Sequence, residues 1–194
     1  MSITRSPEVQ AALAAARRGG SGALDPLIEV LYPELRRIAR AQLRRLRHGQ
    51  TLDTTSLVNE TYLKMVGASD FNDRSHFLAA SARAMRHILI NAARRKLAEK
   101  HGGGREEVAL DDRDGSDEGG FYLEILAVGR ALARLAELDE RLCRVVECRF
   151  YAGMTEEETA TALEVSDRTV RRDWLRARAW LKHELAGSGP GDGG

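Results

Sequence analysis

The chain has 194 residues, 43% hydrophobic and 30% charged, a length for one compact domain or two small ones. That apolar share excludes wholesale disorder, and 5% aromatics leave any core to Leu, Ala and Val. The net charge of +1 hides a segregation: residues 1–100 carry net +8, residues 101–120 net −5 and residues 121–194 net −2. A basic first half predicts an acidic partner surface such as nucleic acid.

Apolar residues recur at three and four spacing almost throughout, which predicts an all-α protein. Met1–Gln10 lacks the apolar core of a signal peptide, and no 18-residue apolar run offers a membrane span, so the expected compartment is the cytoplasm. Glu8–Arg18 is a short Ala-rich helix ended by Gly19 and Gly20. Asp25-Pro26 opens a second helix, with Leu27, Leu31, Leu35, Ile38, Ala39, Leu43 and Leu46 as its apolar stripe. Arg36, Arg37, Arg40, Arg44, Arg45 and Arg47 line its other side, and Pro33 is a point for a kink.

His48-Gly49-Gln50 breaks this helix. A third begins near Asp53–Ser56 and carries Leu57, Val58, Tyr62, Leu63 and Met65. Gly67–Asp73 reads as a loop. A long helix follows from about Ser75 to Lys100, with Arg83, Arg86, Arg94, Arg95, Lys96 and Lys100 as its expected exposed members. The Gly-rich, acidic stretch 102–120 has linker composition and marks the boundary between two units.

Four helices are expected in the second unit. They are Phe121–Ala136, Asp139–Phe150, one capped by Thr155 with Glu158 completing a capping box, and one capped by Ser166 running to about Leu185. Residues 188–194 read as a disordered tail. Cys143 and Cys148 stand about 140° apart around a helix axis, too far round to share a metal easily, and read as two plain thiols.

Thr155–Leu181 is the most specific local pattern. A short helix, a tight turn and a second capped helix match the helix-turn-helix plan. Over Ser166–His183 six basic residues face two acidic ones, and Arg168, Thr169, Arg171 and Arg172 sit where a recognition helix enters a major groove. A second constellation is Arg86, His87, Asn91, Arg94 and Arg95 on the long helix, a basic stripe for phosphates with Asn91 placed for a base. A solvated amphipathic helix would show the same spacing in both places.

These residues lead to a family. Leu57-Val58-Asn59-Glu60-Thr61-Tyr62-Leu63-Lys64 followed by Met85–Arg95 resembles domain 2 of the extracytoplasmic-function (group IV) sigma-70 factors. Leu138–Leu181, with Glu140-Arg141-Leu142, Arg149–Thr155 and Ser166–Arg172, resembles their domain 4. The resemblance implies sigma domain 2 over 1–101, a flexible acidic linker over 102–120 and helix-turn-helix sigma domain 4 over 121–187.

It further implies that core RNA polymerase and promoter DNA are the partners. Arg86, His87, Asn91, Arg94 and Arg95 would read the −10 element. Arg168, Thr169, Arg171 and Arg172 would read the −35 element as duplex. Asp53, Leu57, Asn59 and Glu60 would contact the polymerase. Phe71 and Phe77 are the phenylalanines nearest a strand-capturing surface, which needs stacking platforms.

Relatives usually show Asp-Ala-Glu-Asp where this chain has Asp53-Thr54-Thr55-Ser56, so two carboxylates have become hydroxyls. Phosphorylation of Thr54, Thr55 or Ser56 would restore about −1.5 to −2 charges at a helix N-terminus. A subgroup of such factors is tied to serine/threonine kinases, which makes a kinase a further expected partner. The sequence shows no anti-sigma partner and leaves room for one. Glu164, where a helix-turn-helix often has Gly, is expected to hold a strained backbone angle, and Thr159 replaces a usual apolar residue.

Two other functions compete. A stand-alone helix-turn-helix regulator would bind duplex DNA without polymerase. An enzyme has little support: His48, His76, His87, His101 and His183 form no metal-ligand or triad spacing, and no phosphate loop follows a strand. No cofactor is expected.

Overall fold

The computed structural model describes residues 6–45, 53–67, 71–100 and 117–187. The expected helix break at His48–Gln50, most of the acidic linker and the tail after 187 lie outside them. All regular structure among the described residues is helical.

Pro7–Arg18 forms α1, which buries Val9, Ala12, Leu13 and Ala16, one face at three and four spacing. Asp25–Arg45 is α2 and continues through Pro33. The predicted stripe from Leu27 to Leu43 is buried. Thr54–Met65 is α3, capped by Asp53, whose carboxylate accepts from the backbone N–H of Thr55 and Ser56. Arg74–Lys100 is α4. At its start Asp73 accepts from His76 N–H at 2.8 Å.

The helix α5 runs from Asp117 to Leu138, starting four residues inside the stretch read as linker. Asp and Glu are favoured residue types in a first helical turn, which outweighs the linker-like glycines after them. Glu140–Val146 is α6, capped by Asp139. The sequence predicts one α-helix to Phe150 and then a turn; instead Glu147–Ala152 is a π-helix, closed by Gly153 in the left-handed region at φ 67°. Such widened turns are rare and are frequent at functional sites. Glu156–Leu163 is α7, with the predicted Thr155–Glu158 capping box formed in both directions. Asp167–Gly187 is α8.

The core of α1–α4 is built from the predicted Leu, Val and Ala positions around Phe77 and Met85. A second cluster joins Leu132, Leu135, Leu142, Cys143, Val146 and Ala177 of α5, α6 and α8. A third, Val145, Ala160 and Val170, seats the helix-turn-helix. The two halves also meet: Cys148, Ala152 and Met154 are buried within the first core. As a result α4 is covered by α2 and α3 on one side and by α5, α7 and the π-helix on another. The cysteines are both buried and free, and they point into different cores, as their separation around the axis requires.

Candidate nucleic-acid interface

The N-terminus of α8 is formed by Ser166, whose Oγ accepts from Thr169 N–H at 3.2 Å. Val170 and Asp173 are buried on one side of the helix. Arg168, Arg171 and Arg172 lie on the other within about 100° of arc, all exposed, with Thr169 half-buried beside them. Arg171 pairs with Glu156 at 2.6 Å, and Arg172 with Asp173 at 3.0 Å. Arg168 forms no ion pair among the described residues. The three arginines therefore share one outward face, with Thr169 about 60° further round from Arg172 and half-buried.

The stripe on α4 divides. Arg83, His87, Asn91 and Arg94 fall within about 80° of arc, with Arg95 about 40° further round. Asn91, Arg94, Arg95 and Arg83 are exposed and His87 is half-buried. Arg86 lies about 60° to the other side of this arc and is only 7% exposed, which corrects its expected place on the exposed face. Its Nη2 lies 2.6 Å from Glu147 Oε1 and donates to His87 Nε2 at 3.0 Å. Its guanidinium also stands 5.8 Å from the centre of the Tyr151 ring.

A cleft of about 350 Å³ opens between α4 and the α5–α6 pair, with Arg83, Arg94, Arg130 and Arg144 around it. Burial first, then the charges of Arg86, Lys64, Arg83 and Arg94, hold the His87 imidazole down to a pKa of about 4. His87 is thus neutral at physiological pH, in a strongly positive field.

On α3, Thr55 and Asn59 are exposed, and Thr54, Ser56 and Glu60 are half-buried. Leu57 is fully buried, so it belongs to the core rather than to a contact surface. Ser56 Oγ donates to Asp53 Oδ2 at 3.0 Å. The hydrogen bonds from Ser56, backbone then side chain, and from Thr55 N–H hold the Asp53 carboxyl below its ordinary value. Leu63 and Val66 are 69% and 58% exposed, on the same face as Thr55 and Asn59.

A family model described as ECF sigma factor matches residues 6–187. The chain belongs to the ECF sigma factor family. A sigma factor of this kind binds RNA polymerase and acts with promoter DNA in transcription initiation, as a regulatory factor rather than an enzyme. A search of curated proteins returns no match. No helix among the described residues is long and apolar enough to cross a membrane.

For a sigma factor, several residues stand elsewhere than the sequence suggested. Phe71 and Phe77 are buried and packed edge to face at 5.2 Å, so neither is free to stack on a base. Leu63, grouped by sequence with the apolar residues of α3, is the more exposed of its two leucines; the helical arc measured from Leu57 and Val58 would have shown it. Arg83 belongs to the open stripe, and its three and four spacing to His87 and Arg86 was the available signal. Glu147 and Asp173, the buried acids that hold Arg86 and Arg141, carried no local pattern.

Proposed function

We propose that α4 reads the −10 element through Asn91, Arg94 and Arg95, with His87 and Arg86 joining them, and that α8 reads the −35 element through Arg168, Thr169, Arg171 and Arg172. In this reading residues 1–101 act as sigma domain 2 and residues 121–187 as sigma domain 4. The observation that carries it is the single outward face formed by Arg168, Arg171 and Arg172 at a capped helix N-terminus. Helix termini of this kind enter the major groove, and bidentate arginines discriminate there.

The exposed face of α3 is the proposed polymerase contact, with Asp53, Asn59 and Glu60 as its polar part and Leu63 and Val66 as its apolar part. Kinase control is proposed at the start of this helix. Thr55 is the best placed acceptor because it is exposed and its hydroxyl is not engaged with Asp53, whereas Ser56 donates to that carboxylate. The test is gel-filtration capture by core polymerase followed by run-off transcription with the wild-type chain and Arg168→Ala. Retained capture with loss of promoter-directed transcripts supports the assignment. Unchanged transcription by Arg168→Ala contradicts it, and duplex binding without capture points to a stand-alone regulator.

A further inference from the structure

The cleft between α4 and the α5–α6 pair gathers positive charge from three helices. Arg83 and Arg94 come from α4, Arg130 from α5 and Arg144 from α6, and the buried Arg86 lines it too. The geometry that brings them together is a close crossing. At Gly129 α5 approaches α4 so nearly that a Cβ would lie 3.0 Å from Ile90 Cδ1, and the next residue is Arg130. The carboxylates in the lining are Glu140 and Glu147, and both are taken: Glu147 by Arg86 at 2.6 Å and Glu140 by Arg144 at 2.9 Å. His87 is held neutral, so five arginines against two acids leave a surplus of three positive charges. Arg83, Arg94 and Arg130 form no ion pair among the described residues.

This differs from the solvated face of one amphipathic helix, whose charges spread into water. Here like charges from facing helices line a single opening, which is unfavourable unless an anion offsets them. Other arginines that reach across between helices end on acids, as Arg74 does on Glu34 and Glu158 and Arg141 does on Asp173. The cleft's volume of about 350 Å³ is within the range of small-molecule sites. Its walls carry the buried apolar side chains of Ile90 and Leu132, and the exposed amide of Asn91 lies among the arginines. Arg86 Nε, an N–H donor, is buried without a partner.

Guanidinium groups match phosphate oxygens in pairs, and several of them around one cavity favour phosphate over other anions. One phosphate monoester carries about −1.5 to −2 charges, which falls short of the surplus of three. We propose that this cleft binds a small oligophosphate anion, either free or as the phosphate tail of a nucleotide. Arg83 and Arg94 hold it from the α4 wall, and Arg130 and Arg144 from the opposite wall. Asn91, which can both donate and accept, meets whatever the terminal phosphate carries. A site of this volume takes a small molecule and not a duplex. The inference goes beyond the sigma-factor reading, since Arg130 and Arg144 have no part in the promoter assignments.

The test is isothermal titration of the full chain in magnesium-free buffer at about 0.15 M salt, where exposed charges are screened beyond about 8 Å. The titrants are inorganic tripolyphosphate, adenosine triphosphate, sulfate at matched ionic strength and a short mixed-sequence single-stranded DNA. Tripolyphosphate or adenosine triphosphate is expected to bind one per chain, at least tenfold more tightly than sulfate. Arg130→Gln should weaken that binding about tenfold, as for loss of a charge-assisted pair of hydrogen bonds. Arg144→Gln, on the other element of that wall, should weaken it at least as much, so the result does not hang on the folding of one variant. Arg134→Gln is the control: it makes the same charge change on α5, pairs with Glu184 and lies outside the cleft lining, and should stay within about twofold of wild type. At saturation the NMR signals of the His87 imidazole, which lines the cleft, should move, and those of His183 on α8 should not.

Tighter binding of adenosine triphosphate than of tripolyphosphate, with the difference lost in Asn91→Ala, identifies the nucleotide as the source. Equal or tighter binding of tripolyphosphate identifies the free anion. Absence of saturable binding by either overturns the proposal, as does an unmoved His87. Equal losses in Arg130→Gln and Arg134→Gln overturn it too, since general surface charge would then explain the binding. Single-stranded DNA that binds as tightly per phosphate and suffers the same loss in Arg130→Gln would make the cleft part of a nucleic-acid track and contradict a small-molecule site. Each of these failures leaves the promoter assignments of α4 and α8 to their own test, run-off transcription with core polymerase.

Discussion

The carboxylate of Asp173, fully buried on α8, lies 2.7 Å from Arg141 Nε on α6. Arg172 and Arg176 approach the same carboxylate from α8 itself. One acid therefore fixes α8 against its neighbour and partly neutralises the arginines at the start of that helix. Burial pushes its pKa up, but the hydrogen bonds from Arg141 and Arg172 outweigh this and hold it below the usual value. Asp173→Ala should cost about 1–3 kcal/mol, as expected for loss of hydrogen bonds to a charged group whose arginine partners stay half in water. Urea denaturation of the variant against wild type measures it, and a change under 0.5 kcal/mol would show that the pair is not structural.

Thr159 faces the interior of the helix-turn-helix with its hydroxyl unpaired. A buried donor without an acceptor is costly, and Val has nearly the same shape. Thr159→Val should stabilise the chain by about 1 kcal/mol, seen as a higher urea midpoint with an unchanged slope.

Acid should weaken the fold through His87. Its pKa is about 4 in the folded chain against an ordinary 6.5. Between those values the unfolded chain takes up a proton that the native chain refuses. Stability is therefore intact above pH 6.5 and falls as the pH is lowered toward 4. An NMR titration of the imidazole should give a midpoint near 4. A midpoint near 6.5 would mean that His87 is neither desolvated nor set among Arg83, Arg86 and Arg94.

Leu63 is exposed on the face of α3 that carries Thr55. Leu63→Glu should leave stability within about 0.5 kcal/mol and weaken core-polymerase binding by about 1–2 kcal/mol, measured by fluorescence anisotropy. At Thr55, the Glu variant should bind core polymerase more tightly than the Ala variant, because a negative charge there replaces one of the missing carboxylates. Equal affinities would remove Thr55 from the kinase reading.

Much of this was legible in the chain. Period and capping residues located the helices, the Thr155–Glu158 box formed as written, and Glu164, where a strained angle was expected, adopts a left-handed backbone at φ 55°. The arginines of α8 are exposed as their spacing required. What escaped depends on partners distant in sequence. Arg86 stands about 60° off the exposed arc and is buried against Glu147, 61 residues later, a partner no local pattern announces. Phe71 and Phe77 looked like stacking platforms and instead pack on each other. The π-helix spans only Glu147–Ala152, too few residues to carry a period of its own in the sequence.

Promoter selection by core polymerase through α4 and α8 is the proposal on which the other assignments depend. The most direct measurement is transcription by core polymerase plus this protein on fragmented genomic DNA from the organism that encodes it, with every transcript start mapped. The expected result is starts absent with core alone, preceded by two shared motifs about 25 base pairs apart (about 85 Å), the upstream one lost as a requirement with Arg168→Ala. Starts identical to those of core alone would contradict it.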